Sequence, residues 1–450
     1  MWSLEQASIK LGNFPDPAGR PRGGSRPALA SMNRAASSSR AVVQTGAFWS
    51  APMILILLAH YCLDMCAAVV PSSLNILEQR WNLSEYQSAW LLGAGSLSSG
   101  LAQPVFAWIS DRTNNRLYGG LGLGLAVVLV CSIGLTSTPA FLFLFYIGGM
   151  IGSGMFHPIA ASTIGALKPV SRSRIITLFF ICGMLGGVSG SLMAPRLLVL
   201  PGGFRWLMLV IVPVGGLALA LHLVIRGIPH RAELPPAGKR PGRALEPPAS
   251  DWSAIVMLYL AAAARFTVNI ALLYLYVRWM EDRMMTQYPD LSGAAISDRA
   301  APRVGNLNAL TMLGMASGGL LAGVLVPAGR EKWPLVLMPL AFAPAIAGFP
   351  LVSPDAGYLL ALLSGIGFAS MVPVTLTVAQ RLLPFRTSLA SGLMLGGAWS
   401  LAMTGPVMAE WIIRHQGLAA AFFWTAGLLA VSGVILLPLQ QQSLRQSVGR

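Results

Sequence analysis

The sequence predicts an all-α membrane protein, with twelve transmembrane helices in two six-helix halves. Three observations predict it. Of the 450 residues, 55% are hydrophobic and only 10% are charged, where a soluble domain carries about 25% charged residues. The apolar residues gather in runs of the length a helix needs to cross a bilayer, roughly 20 residues. These runs are apolar all round, so they are not the alternating strands of an outer-membrane barrel. Finally, a Pro-rich basic stretch, "GIPHRAELPPAGKRPGRALEPPASD" at 227–251, divides six runs from six. It reads as a cytoplasmic linker between one helical bundle at 49–226 and a second at 252–438.

Taken in order, residues 1–48 are rich in Arg, Ser, Ala, Gly and Pro and read as a disordered cytoplasmic segment. They are not expected to be a cleavable signal, because the first apolar run is full-length. Met32, which opens "MNRAASSSR", is an alternative start. The first-half runs are 51–76, 86–109, 117–137, 140–167, 173–199 and 204–226. Those of the second half are 252–280, 304–327, 333–352, 356–381, 388–413 and 418–438, followed by a tail at 439–450. Small residues recur four apart in the fifth run (Gly183 and Gly187, Gly186 and Gly190), the eighth (Gly314 and Gly318, Gly319 and Gly323) and the eleventh (Gly392 and Gly396). Such spacing puts small residues on one helix face and lets backbones approach. The polar stretch 281–303 reads as an external loop with at most a short amphipathic turn.

The halves carry a weak repeat. Gly152, Pro158 and Pro169 align with Gly367, Pro373 and Pro384 at one constant offset, which makes the fourth and tenth helices equivalent. The net charge of +15 would suggest nucleic acid in a soluble chain. Here most of the 31 Lys and Arg fall on one side of the membrane if the N-terminus is inside. The charge is therefore topogenic, both termini are expected in the cytoplasm, and no nucleic-acid partner is expected. Cys62, Cys66, Cys131 and Cys182 all lie inside apolar runs and read as packing residues, and neither a metal site nor a cofactor is expected.

Charge inside the membrane is the informative signal, because it costs about 2.5–3.5 kcal/mol or more per group at the bilayer centre. In "LLAHYCLDMCAAVV" His60 and Asp64 are four apart and share a helix face. An imidazole beside a carboxylate can take up and release a proton near neutral pH, although such a pair also suits a hydrogen bond that only fixes packing. Arg265 and Asn269 are again four apart, and Arg265 is the one cation deep in a run. In "GMFHPIAAS", His157 precedes Pro158, whose missing N–H frees an upstream carbonyl and favours a bend, as Pro373 would in the tenth helix.

The loop "AWISDRTNNR" resembles the signature between helices 2 and 3 of the major facilitator superfamily. Asp111, Arg112 and Arg116 fit that signature, whereas Ala107, Asn114 and Asn115 depart from it. The second-half counterpart, "GVLVPAGREK", lacks the acid. The resemblance implies that this loop latches the halves on the cytoplasmic side and that helices 2, 5, 8 and 11 form the seam. It also implies that helices 1, 4, 7 and 10 line a central cavity. His60, Asp64, His157, Arg265 and Asn269 would then share one pocket, with Asp64 the counter-ion of Arg265. Together, "AHYCLDM", "LAQPVFAWISDR" and "GMFHP" resemble the fosmidomycin-resistance-like branch, whose members are inner-membrane drug efflux proteins.

Other classes fit poorly. "GVSG" with Ser189 resembles the rhomboid protease motif, but His222 lacks the expected context for a base. Lys10, Lys168, Lys239 and Lys332 fall outside helix cores, so no retinal Schiff base is available, and no phosphate loop for ATP is present. The expectation is a monomeric, multi-pass protein of the inner membrane that is not an enzyme. It would be a proton-coupled exporter of a small organic molecule, with Asp64 carrying the proton, His60 tuning it, and His157, Arg265 and Asn269 meeting substrate. The alternatives are an uptake symporter for an organic anion drawn in by Arg265, and a non-transporting scaffold or sensor.

Overall fold

The structure, a computed structural model, describes residues 50–113, 116–167, 172–225, 252–383 and 390–448. The expected N-terminal segment 1–48, the linker 227–251, Pro169, Pro384, Asn114, Asn115 and the side chain of Asp111 lie outside the described residues. The remainder is helical. The principal helices are α1 (Ala51–Ala67), α2 (Glu85–Thr113), α3 (Leu117–Cys131), α4 (Pro139–Leu167), α5 (Arg172–Leu198) and α6 (Ile211–Ile225). They continue with α7 (Trp252–Gln287), α8 (Gly293–Leu325), α9 (Lys332–Ala347), α10 (Pro354–Ala369), α11 (Val372–Leu382), α12 (Thr404–Gln416) and α13 (Leu418–Val434).

Among the described residues, eight helical stretches are long and apolar enough to cross a membrane, and α3 and α13 are shorter apolar helices. Large apolar side chains cover the outside, with Val212 and Val324 three-quarters exposed. Water would penalise such a surface, whereas a bilayer accepts it.

The packing partners repeat along the chain. In the first part α1 lies on α5, α2 on α4, and α3 on both α4 and α6. In the second, α7 lies on α12, α8 on α10, and α9 on both α10 and α13. The two sets meet where α5 packs on α8 and α2 on α12.

Several expectations need correction. The stretch 281–303 is not a loop. α7 continues to Gln287, and α8 starts at Gly293 behind Ser292, whose side chain caps the N–H of Ala295. Polar turns keep their helical bonds outside lipid as readily as in it, so polarity ended the apolar run without ending the helix. The tenth run is interrupted at Ser370 and Met371, just before Pro373 near the start of α11, because proline cannot donate the next ladder bond. Pro158, by contrast, sits inside an uninterrupted α4. In the eleventh run, Gly392–Gly397 winds as a π turn.

The glycine stripes serve packing within each part more than the seam. A side-chain carbon on Gly186 would strike the Tyr61 carbonyl of α1, and one on Gly314 the Leu362 carbonyl of α10. Gly187, opposite Met312, and Gly396, against Gly100 and Pro104 of α2, do face the seam.

Candidate functional site

α1 crosses against α4 and α5, and this crossing assembles the polar cluster. Asp64 lies about 20 Å along α1 at 1.5 Å per residue, well inside the span. Its Oδ2 is 3.4 Å from His60 Nε2 and its Oδ1 is 3.6 Å from His157 Nε2. The two Nε2 atoms are 3.3 Å apart. Each ring is held from behind: His60 Nδ1 donates to the Phe179 carbonyl at 2.8 Å, and His157 Nδ1 to the Ser153 carbonyl at 2.8 Å.

A carbonyl only accepts, so both Nδ1 atoms carry hydrogen and both neutral rings turn a lone pair towards the carboxylate. His60 is also stacked on Phe179, with ring centroids 3.8 Å apart. His60 is fully buried, while Asp64 and His157 are partly open. The three facing ligand atoms lie within 4.8 Å of one another, the one such trio of His, Cys, Asp or Glu among the described residues. Converging lone pairs of this kind suit a shared proton, and the donor set would also accept a small cation.

Room for the trio depends on Gly183 of α5. A β-carbon there would stand 2.5 Å from both Asp64 Oδ2 and His60 Cε1. Gly183→Ala is expected to push both the Asp64 carboxylate and the buried His60 ring from their places and so to break up the trio. Transport driven by a pH gradient should fall several-fold in proteoliposomes, and the melting temperature should fall with it.

The structure does not bring Arg265 to Asp64. Arg265 stands about 20 Å along α7, is fully buried, and donates from Nη2 to Thr375 of α11 at 2.7 Å. Asp64 is occupied by the two histidines instead. Glu410, the other acid in reach of the membrane interior, accepts from Tyr274 at 2.7 Å and from Arg414 Nε at 2.6 Å. Asn269 is buried one turn along α7 from Arg265.

In the signature loop, the Arg112 guanidinium lies 4.1 Å over the ring of Trp108, and Arg116 is buried and donates to Thr163 of α4. These contacts stay within the first half. Ser189 accepts from Tyr61 at 2.7 Å, and His222 backs onto Gly120, so the protease dyad is not assembled.

Sequence reading missed a lattice of charge at one end of the bundle. Arg278 of α7 pairs with Glu78 of the short helix Leu74–Trp81, and with Glu281 at 3.2 Å. Arg414 of α12 meets Glu85 of α2 at 3.1 Å. Asn75 donates to the Ser297 carbonyl of α8 at 2.7 Å. Each of these, apart from the Arg278–Glu281 pair, joins the first part of the chain to the second. Burial pushes the Glu78 carboxyl up, against the pull of Arg278. Glu78 therefore takes its proton at a higher pH than a free glutamate, so the state that buries it is favoured as pH falls. The available sequence signals were Arg278 with Glu281 and Glu410 with Arg414, acid and base one turn apart at the ends of apolar runs.

Residues 53–296 match the profile of the Major Facilitator Superfamily, over half of the chain. The chain belongs to this superfamily and is a membrane transporter, not an enzyme. It is 25% identical over 406 residues to an uncharacterised MFS-type transporter, YfnC, of Bacillus subtilis (strain 168), covering 87% of this chain and 93% of that one. A shorter match, 27% identical over 138 residues, is to protein spinster homolog 3 of Homo sapiens, covering 29% of this chain and 26% of that protein. Among solved structures, the fold is similar to a bacterial homolog of the human lysosomal transporter Spinster in an inward-facing, unoccupied conformation. The TM-score is 0.63 at 19% identity, over 88% of this chain and 97% of that one. It is also similar to the peptide transporter POT in complex with sulfate, with a TM-score of 0.64 at 17% identity, over 89% of this chain and 97% of that one.

Proposed function

We propose that the chain is a proton-coupled exporter of a small organic molecule, built as twelve helices in two six-helix halves, residing in the inner membrane with both termini in the cytoplasm. The observation that carries the coupling is the hydrogen count of the trio. With both Nδ1 hydrogens committed to carbonyls, two imidazole lone pairs and a carboxylate face one another, and they repel unless a proton sits between them. That proton is gained or lost as the trio closes or parts, which links proton movement to the movement of α1 against α4 and α5. The partly open Asp64 and His157 give it a way in.

The charge lattice of Glu78, Arg278, Glu85 and Arg414 supports reading its end as an external gate, closed in this conformation. Arg112, Arg116 and Asp111, at the other end of α2, would act in the cytoplasmic latch, and the interruption before Pro373 would act as a hinge.

The test uses the purified protein in proteoliposomes with a trapped pH-sensitive dye and a panel of small organic compounds. For at least one compound, an imposed pH gradient should drive counter-movement of compound and protons. Movement of compound and proton in the same direction would indicate an uptake symporter instead. Compound flux indifferent to the gradient would remove the coupling assignment. A scaffold or sensor would move none of the panel.

A further inference from the structure

We infer that Arg265 and the first turn of α11 form an anion site that takes the negatively charged group of the transported molecule, a carboxylate or similar organic oxyanion. This rests on the reading of the chain as a transporter of small organic molecules and names the chemical class of what it carries.

The first observation is an unpartnered charge. Arg265 is fully buried, one of its five N–H groups reaches Thr375, and its Nε and Nη1 have no partner. A guanidinium is ionised at any working pH, so it cannot escape the cost of burial by losing its proton. The acids that could have served it are spent elsewhere: Asp64 on two histidines, Glu410 on Tyr274 and Arg414, Glu78 on Arg278, and Glu331 on Arg381. No carboxylate among the described residues pairs with Arg265.

A second observation points to the same place. α11, Val372–Leu382, is a new helix start in mid-span rather than a continuation of α10. Pro373 has no N–H and Thr375 gives its own to the Met371 carbonyl at 2.8 Å, so the N–H groups of Val372 and Val374 and the positive end of the dipole are what this start offers an anion inside the membrane region. Thr375 stands in that first turn. Its hydroxyl hydrogen goes to the Met371 carbonyl at 2.8 Å, so its oxygen is left to accept from Arg265. This bond ties the guanidinium to the helix start.

Two positive features thus meet without a protein anion between them. A site meant only to stabilise the fold would have paired Arg265 with an acid, as the chain does for Arg278, Arg381 and Arg414. An Arg that meets only a hydroxyl while Arg278, Arg381 and Arg414 meet acids suits a ligand that brings the charge with it. Arg265 also stands at about the same distance along α7 as Asp64 along α1. The anion would be held by the second half while the proton trio sits on the first.

The experiment uses the full-length protein in detergent, with matched pairs of probes: benzoate with benzamide, and hexanoate with hexanamide. Binding is read by calorimetry and by melting temperature. At least one carboxylate should bind and raise the melting temperature, its amide should not, and Arg265→Gln should weaken carboxylate binding at least tenfold. Arg265→Lys should retain part of it. In the ligand-free protein, Arg265→Met should raise the melting temperature, because it removes an uncompensated buried charge. Failure of every carboxylate to bind, equal binding of an amide, unchanged binding in Arg265→Gln, or a lower melting temperature in ligand-free Arg265→Met would overturn the site. Asp64→Asn separates this inference from the proton reading, since it should lose pH-gradient-driven movement and still bind the carboxylate.

Discussion

Asp64→Asn should insert and fold, and should lose transport driven by a pH gradient down to the background of empty liposomes. The amide keeps the size of the carboxylate, so packing against Gly183 survives. It cannot ionise, so the trio can no longer alternate between holding and releasing a proton. The loss of the ionic contacts with His60 and His157 should bring a modest fall in melting temperature. His157→Gln should be milder, because Asp64 and His60 remain together on one helix. Wild-type rates in Asp64→Asn under an imposed gradient would place the proton elsewhere. Energy-independent exchange, measured at equal pH on both sides, should survive in Asp64→Asn, and its loss would point to a general defect rather than to coupling.

The second large effect is expected at the charge lattice. Breaking a buried ion pair costs about 3–5 kcal/mol when one charge is left behind. Glu78→Gln leaves Arg278 with Glu281 alone, so the lower part of that range applies. The cost falls only on the conformation in which Glu78 and Arg278 meet. About 3 kcal/mol taken from that state shifts its population against the open one by roughly two decades. Cysteines placed on the cavity side of this end should react with a membrane-impermeant thiol reagent far faster in Glu78→Gln than in the parent. Glu78→Gln combined with Arg278→Met should recover part of the closure, because no charge is then stranded. If reactivity is the same in all three proteins, the lattice is not a gate.

Much of this was legible in the chain. Runs of apolar residues specify spans because lipid leaves the backbone no partner but itself, so length and composition are enough. The superfamily could be read from the loop carrying Asp111, Arg112 and Arg116. His60 beside Asp64 could be read from helical spacing alone, since residues four apart share a face whatever the helix packs against.

Partnership between helices could not be read that way. The sequence pointed to Asp64 as the counter-ion of Arg265, and only the crossing of α1 with α4 and α5 gives it His157 instead. The same crossing decides that Gly183 must lack a side chain, and that Gly186 serves α1 rather than the seam. The interruption before Pro373 and the uninterrupted helix through Pro158 come from one residue type in two surroundings. Proline withholds the same N–H in both, but whether the helix is interrupted there depends on its neighbours. A sequence fixes what each helix can offer along its own axis. Which charge is met and which is left unpaired is set by the angles at which helices cross, and these follow from packing summed over the whole bundle.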